Sequence, residues 1–275
     1  MHIKKIKNVS KHILMYSIAV IMILPFLWMV STSFKAPSEV FTVPIKWFPE
    51  QFNFNNYQKA IKSFPFVRFF MNSVIVTAFI IIGQLVTSVM AAYAFAKMEF
   101  KGKKVLFVLL LSGLMLPAQT IMIPMILTLN KLKMLNTLAG LIIPFSWSAL
   151  IVFLLRQFFM DIPNEIEEAA MIDGCNTYQI ITRIILPISK PIISTSIILI
   201  FVYGWNQYFW PLLIVNKEEL YTLQLGLAYF KEVNAIETDW GALMAGTTLT
   251  ILPVITVFLI FQKKVIESIA FSGGK

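Results

Sequence analysis

Six stretches of the chain contain no Lys, Arg, Asp or Glu: residues 13–34, 69–96, 105–129, 138–155, 192–215 and 241–262. Each is about as long as a helix must be to cross roughly 30 Å of hydrocarbon. In that medium every backbone polar group must be bonded internally, so the spans are expected to be helical. The composition agrees: 58% of residues are hydrophobic and 13% charged, too apolar for an ordinary soluble domain. The expected fold is an all-α integral membrane protein with six transmembrane helices in one domain covering 1–275. Pro25, Pro117, Pro124, Pro144 and Pro253 interrupt several spans. Two readings stand for these prolines. They mark a bundle around a pathway, where neighbours or cavity water satisfy the freed backbone, or they reflect the ordinary abundance of proline in membrane helices.

Charge sets the expected orientation. Of 23 Lys and Arg, 14 fall in segments that are cytoplasmic if the N-terminus is inside, and 9 fall outside. The inner ones crowd into short loops, where the positive-inside rule applies best. Both termini are then cytoplasmic. The basic start and long apolar run at 13–34 are read as a retained span, since no small-residue cleavage site follows. The outer loop 35–68 is expected to be a lid or a segment lying at the interface.

Several functions are disfavoured by what the sequence lacks. One cysteine, Cys175, rules out an intramolecular disulfide and a Cys-cluster metal site. The two histidines, His2 and His12, both lie near the N-terminus. No catalytic or metal-binding set is therefore expected. No phosphate-binding GxxxxGK[ST] occurs, so the chain itself is not expected to bind ATP by such a loop. Basic residues scattered between spans do not form a nucleic-acid face. The uncharged spans offer no carrier for an ion-coupled secondary transporter and no acid–base set for an intramembrane enzyme.

Between the fourth and fifth spans lies "NEIEEAAMIDGCNTYQIITRIILP", Asn164 to Pro187. Pro163 suits a first helical turn, and Glu165, Glu167 and Glu168 suit the positive end of a helix dipole. Gly174 suits a helix stop. Ile166, Ala169, Ala170 and Asp173 share a helical face, and the two alanines permit close approach by another surface. Ile180, Ile181, Ile184 and Ile185 form a stripe on a second helix. One reading is a pair of interfacial helices, but such helices are usually basic. The other is a plug that enters a cleft on a separate protein, which the acidic, alanine-faced first helix suits better.

At this point the sequence resembles the membrane subunits of bacterial ABC importers. Their pattern is Glu-Ala-Ala, three residues, Gly, nine residues, then Ile, any residue, Leu-Pro. The chain has Glu168, Ala169, Ala170, Gly174, Ile184, Leu186 and Pro187 at those spacings, with Asp173 before the glycine and Cys175 where alanine is common. The resemblance implies that the loop at about 160–190 carries a coupling helix seated on a separate ATPase. Two copies of that ATPase would hold the ATP and Mg, leaving no cofactor in this chain. "GWNQYFWPLLIV", "YTLQLGLAYF" and "TDWGALMAGTTLTILP" further resemble the second permease of maltose-type sugar importers. That implies a heterodimer with another permease, an extracellular sugar-binding protein meeting the loop 216–240, and a bacterial plasma membrane location. The alternative within the class is a permease for another small solute, such as a polyol phosphate or an amino acid.

Tyr203, Trp205, Asn206, Gln207 and Tyr208, with Trp210, crowd the outer part of the fifth predicted span. Aromatic rings stack on sugar faces and amides bond hydroxyls, which makes the first five a candidate substrate path. An aromatic belt at the interface, or simple packing, also accounts for them.

Overall fold

The computed structural model describes the backbone of residues 2–233 and 238–272, and the side chains of 11–231 and 238–263. Among these residues every regular element is helical. In chain order they are α1 (His2–Ser33), α2 (Asn55–Lys62), α3 (Phe66–Lys97), α4 (Lys103–Ser112), α5 (Ala118–Lys131), α6 (Leu138–Ile142) and α7 (Ala149–Met160). Then come α8 (Asn164–Ile172), α9 (Thr177–Ile180), α10 (Leu186–Ile188), α11 (Lys190–Trp205), α12 (Phe209–Ile214), α13 (Leu223–Val233) and α14 (Trp240–Ser272).

Three predicted spans are single long helices: Lys11–Ser33, Phe66–Lys97 and Trp240–Lys263. Three further helix pairs are long and apolar enough to cross only if each bent pair counts as one span. Their bends have local causes. Lys103–Met115 and Ala118–Lys131 meet at 102°. There Pro117 holds Leu116 in extended backbone, ψ 125°. Leu138–Phe145 and Ala149–Met160 meet at 41°; Pro144 lies in a 3₁₀ turn, and the Ser148 hydroxyl caps the new helix by accepting from Ile151 N. Thr177–Ile188 and Lys190–Trp205 meet at 84° around Ser189, flanked by Pro187 and Pro191 and preceded by a π-helical stretch, Ile181–Ile185.

The predicted span 192–215 is not one helix. α11 ends at Trp205 and α12 starts at Phe209. Pro211 has no N–H to continue the ladder, and its ring would strike the carbonyl four residues back. Part of the predicted loop 216–240 is helical, since α13 occupies it. Residues 234–237, including Glu237, lie outside the described residues, as does the Glu232 side chain.

The chain divides into two compact units, 1–67 with 226–252, and 68–225 with 253–275. In the first unit the chain after α1 folds back on its end. Trp47 sets its edge against Trp28 at 5.3 Å, and Phe34 packs with Phe52, Phe54 and Tyr57. Lys35 is fully buried; its ammonium lies 3.9 Å from the Trp28 ring centroid and donates to Lys46 O. Such a cation–π contact gains strength from desolvation. The Asn56 amide, also buried, donates to Ser33 O at 2.9 Å and Lys35 O at 2.8 Å. Gly241 leaves room for it: a Cβ there would stand 2.5 Å from Asn56 Nδ2. Lys59 and Asp239 pair at 2.7 Å. Phe64, Leu227, Phe230, Trp240, Ala242 and Leu243 pack together.

The second unit is built around α3. Ile80, Leu155, Phe159, Ile185 and Ile200 are buried at its centre. Between helices in lipid the hydrophobic drive is weak, and close packing with hydrogen bonds at about 0.6 kcal/mol each takes its place. Gln84 Nε2 donates to Phe145 O at 2.8 Å, Thr87 Oγ1 to Ser146 O at 2.9 Å, and Trp210 Nε1 to Gly140 O at 3.1 Å. The first two bonds take up carbonyls at the break before α7, where the regular ladder is lost.

Candidate coupling surface

α7 ends at Met160, and Ile162 is buried just beyond it. Pro163 follows in extended backbone, and α8 starts at Asn164. The helix stops at Gly174 in a defined way. Cys175 N donates to Ala170 O at 2.9 Å and Gly174 N to Met171 O at 3.0 Å. That bond pair, with Gly174 at φ +82°, is a Schellman end. The next turn starts on a reciprocal cap: Gln179 N donates to Asn176 Oδ1 and Asn176 N to Gln179 Oε1, both at 2.9 Å.

Of the face Ile166, Ala169, Ala170 and Asp173, Ala170 alone turns inward. Glu167 and Ala170 are buried, whereas Ile166, Ala169 and Asp173 are exposed. Glu167 meets its countercharge at the end of α3. Lys97 Nζ lies 3.1 Å from Glu167 Oε1, with the two side chains only 5% and 7% exposed. Tyr93, one turn earlier on α3, donates its hydroxyl to Glu167 Oε2 at 2.8 Å. Lys97 also donates to Ile162 O and, at 2.8 Å, to Asn164 Oδ1. One ammonium thus holds the entry to α8 and its first turn.

Sequence reasoning misses Lys97, Tyr93 and the burial of Glu167. The partners lie about 70 residues apart, and helical periodicity says nothing at that range. The only signal available is an excess of acids on a short helix beside a basic span end.

With Glu167 taken inward, Glu165, Glu168, Ala169 and Ile172 are exposed along the other side, at i, i+3, i+4 and i+7. Met171 is 56%, Ile172 86% and Tyr178 75% exposed. Apolar side chains this open beside carboxylates form a surface suited to contact with another protein. Ile184 and Leu186 pack against the core of the second unit, and Pro187 is exposed.

The structure separates the aromatic set. Trp205 is 2% exposed, stacked on Phe201 at 5.6 Å and edge-on to Phe70 at 5.7 Å. Trp210 is buried as well. Tyr203, Asn206 and Tyr208 are exposed and Gln207 is half-buried, the last three at the break between α11 and α12. Gln224 Nε2 donates to Asn206 Oδ1 at 3.3 Å.

Residues 84–270 match the family described as binding-protein-dependent transport system inner membrane component. The probable ABC transporter permease protein YurM of Bacillus subtilis is 38% identical over 91% of this chain and 83% of its own length. The diacetylchitobiose uptake system permease protein NgcG of Streptomyces coelicolor is 31% identical over 94% of this chain and 86% of its own. Among solved structures, a bacterial ABC transporter involved in the import of the acidic polysaccharide alginate contains a similar chain. It has a TM-score of 0.83 and 26% identity, covering 94% of this chain and 96% of that one. The chain therefore belongs to the family of binding-protein-dependent inner-membrane transport components. It is a multi-pass membrane permease of the ABC importer class, a class that works with an ATPase and a substrate-binding protein, and it is not an enzyme.

Proposed function

We propose that this permease forms half of the pathway of an ATP-driven importer for a sugar or oligosaccharide delivered by an extracellular binding protein. The kinship with permeases for diacetylchitobiose and alginate carries the substrate class. Because alginate is acidic, the uncharged spans do not by themselves restrict the cargo to neutral sugars. The whole chain acts as one transmembrane domain of six spans, at about 13–34, 69–96, 105–129, 138–155, 192–215 and 241–262, with both termini in the cytoplasm of a bacterial cell. A second, different permease completes the pathway. Two ATPase copies bind the ATP and Mg.

In this reading α8 is the coupling helix. Glu168, Ala169 and the exposed tip Met171–Ile172 face the ATPase. Ala170 packs inward, and Asp173 with Gly174 ends the helix. Ile184, Leu186 and Pro187 anchor the return to α11. Tyr203, Asn206, Gln207 and Tyr208 line the substrate path, with Trp205 bracing them from behind.

Reconstitution into proteoliposomes with the ATPase, the second permease and the binding protein tests this. ATP-dependent uptake of a labelled oligosaccharide is expected. Uptake only of a labelled polyol phosphate or amino acid would move the substrate class. Uptake driven by an ion gradient without ATP would overturn the importer reading.

A further inference from the structure

Of the three helices among the described residues that are long enough to cross alone, α3 alone lacks proline; Pro25 lies in α1 and Pro253 in α14. Sharp kinks in helices almost always sit at proline, at small-residue pairs or at bulges. α3 has none of the prolines, and its single glycine, Gly83, packs tightly against Ser146. Among the described residues it is therefore a long helix with no proline to interrupt its hydrogen-bond ladder.

Side chains tie one end of this helix to α8, which the coupling reading assigns to the ATPase, and the other to part of the loop 216–240, which the resemblance assigns to a binding protein. At the inner end, the Lys97 ammonium faces Glu167 Oε1, Asn164 Oδ1 and Ile162 O, while Tyr93 takes the other Glu167 oxygen. At the outer end, Asn72 Nδ2 donates to Glu219 O and Tyr221 O, each at 2.9 Å. Beside it Ser73 Oγ accepts from Leu223 N at 2.8 Å. Asn72 is 9% and Ser73 3% exposed. The anchored turn, Glu218–Leu220, carries the exposed acids Glu218 and Glu219. Between Asn72 and Lys97 run roughly 37 Å of unbroken helix at about 1.5 Å per residue.

Packing alone does not call for these anchors. A buried ion pair is often no more stable than an apolar pair of the same volume. What it adds here is geometry: α8 cannot slide or turn on the end of α3 without breaking several charge-assisted bonds at once. The two Asn72 bonds fix the outer turn in the same manner.

We propose that α3 is a stiff link that carries displacement between the ATPase-facing helix α8 and the outer turn Glu218–Leu220, with Lys97 and Asn72 as positioning residues at its two ends. The proposal rests on the coupling-surface reading above. It adds that the outer turn and α8 move together because one helix is fastened to both.

The test uses the complete complex in proteoliposomes. It measures how many fold the liganded binding protein stimulates ATP hydrolysis, and whether the ATPase co-purifies. In Lys97→Met and in Asn72→Leu, attachment of the ATPase is expected to persist while stimulation falls roughly fivefold or more. The double variant is expected to lose no more than the worse single variant, because two breaks in one link act in series. Lys97→Arg, which keeps the charge, is expected to recover part of the stimulation. Should Lys97→Met fail to reach the membrane, Tyr93→Phe serves as the inner break, with a smaller loss in the same direction. Undiminished stimulation in either single variant, or losses that multiply in the double variant, would overturn the link. Loss of ATPase attachment in Lys97→Met would overturn it too, by making the pair part of the seat. A wild-type complex with no stimulation at all would instead remove the coupling reading on which the link depends.

Discussion

Cys175 N reaches back 2.9 Å to Ala170 O, and the bond closes only because Gly174 between them sits at φ +82°. Among the described residues, nothing beyond its chain neighbours lies within 4 Å of where a Gly174 Cβ would be. The cost of a side chain there is thus backbone strain alone, about 1–2 kcal/mol for an ordinary residue. Gly174→Val, β-branched, should meet at least this cost. The protein is expected to insert normally and lose transport, as shown by a wild-type amount in membranes with reduced uptake. Gly174→Asn, which tolerates this region better, should fall between the two.

Glu168 faces outward on α8 while its neighbour Glu167 is sealed against Lys97. Glu168→Lys should therefore leave folding intact and weaken ATPase attachment by about tenfold or more, near 1.4 kcal/mol. Co-purification at graded ATPase concentration measures this. Wild-type attachment together with wild-type uptake would remove Glu168 from the contact.

The amide of Asn56 occupies the space in front of Gly241. Gly241→Ala is expected to destabilise the protein by about 1–3 kcal/mol through overpacking, read as a lower melting temperature in detergent. Asn56→Ala alone should also cost about 1–3 kcal/mol, because Ser33 O and Lys35 O lose their donor. The double variant should be less destabilised than the sum, since Asn56→Ala clears the space that Gly241→Ala needs.

Asp239 accepts from Lys59 at 2.7 Å and from Ala242 N at 3.0 Å. Burial pushes its carboxyl pKa up, but the Lys59 bond, the backbone donors and the Lys59 charge outweigh this and hold it below the usual carboxylate value. A group lowered in the folded state stabilises above its unfolded pKa and loses that contribution as pH falls through the folded one. Melting temperature should therefore decline below about pH 4, with part of the decline absent in Asp239→Asn.

Glu219 sits on the exposed turn that α3 fastens. A cysteine in its place is expected to react with an impermeant thiol reagent added to intact cells; labelling only after lysis would invert the proposed topology. Charge reversal at Glu218 and Glu219 should slow uptake mainly at low binding-protein concentration, because it impairs an encounter and leaves the pathway unchanged.

The long apolar helices were legible because uncharged runs of that length have few other fates. Their breaks were only half legible. Pro117 marks a sharp bend, but Pro124 lies within α5 and Pro25 within α1 without ending either helix. Whether a proline breaks a membrane helix depends on neighbours that can take up the freed carbonyls, which a linear sequence does not display. The glycine stop at 174 was readable from residue type. The inward face of α8 was not, because a buried Glu167 is tenable only with Lys97 and Tyr93 beside it. α13 left a fainter trace: Leu223, Leu227 and Phe230 recur at i, i+4 and i+7, a spacing that could have revealed it.

The first compact unit is assembled from stretches separated by roughly 160 residues of the second. At about 5–20 residues per second of synthesis, its earlier part waits something like ten to thirty seconds for its later part. During that interval Asn56 has no Gly241 to pack against, Lys59 has no Asp239, and Phe64 has no Phe230. Through that interval the fold-back at Trp28 and Lys35 supplies tertiary support from within residues 1–67 alone. The stretch Gly226–Leu252 thus closes a unit that residues 1–67 open well before it is made.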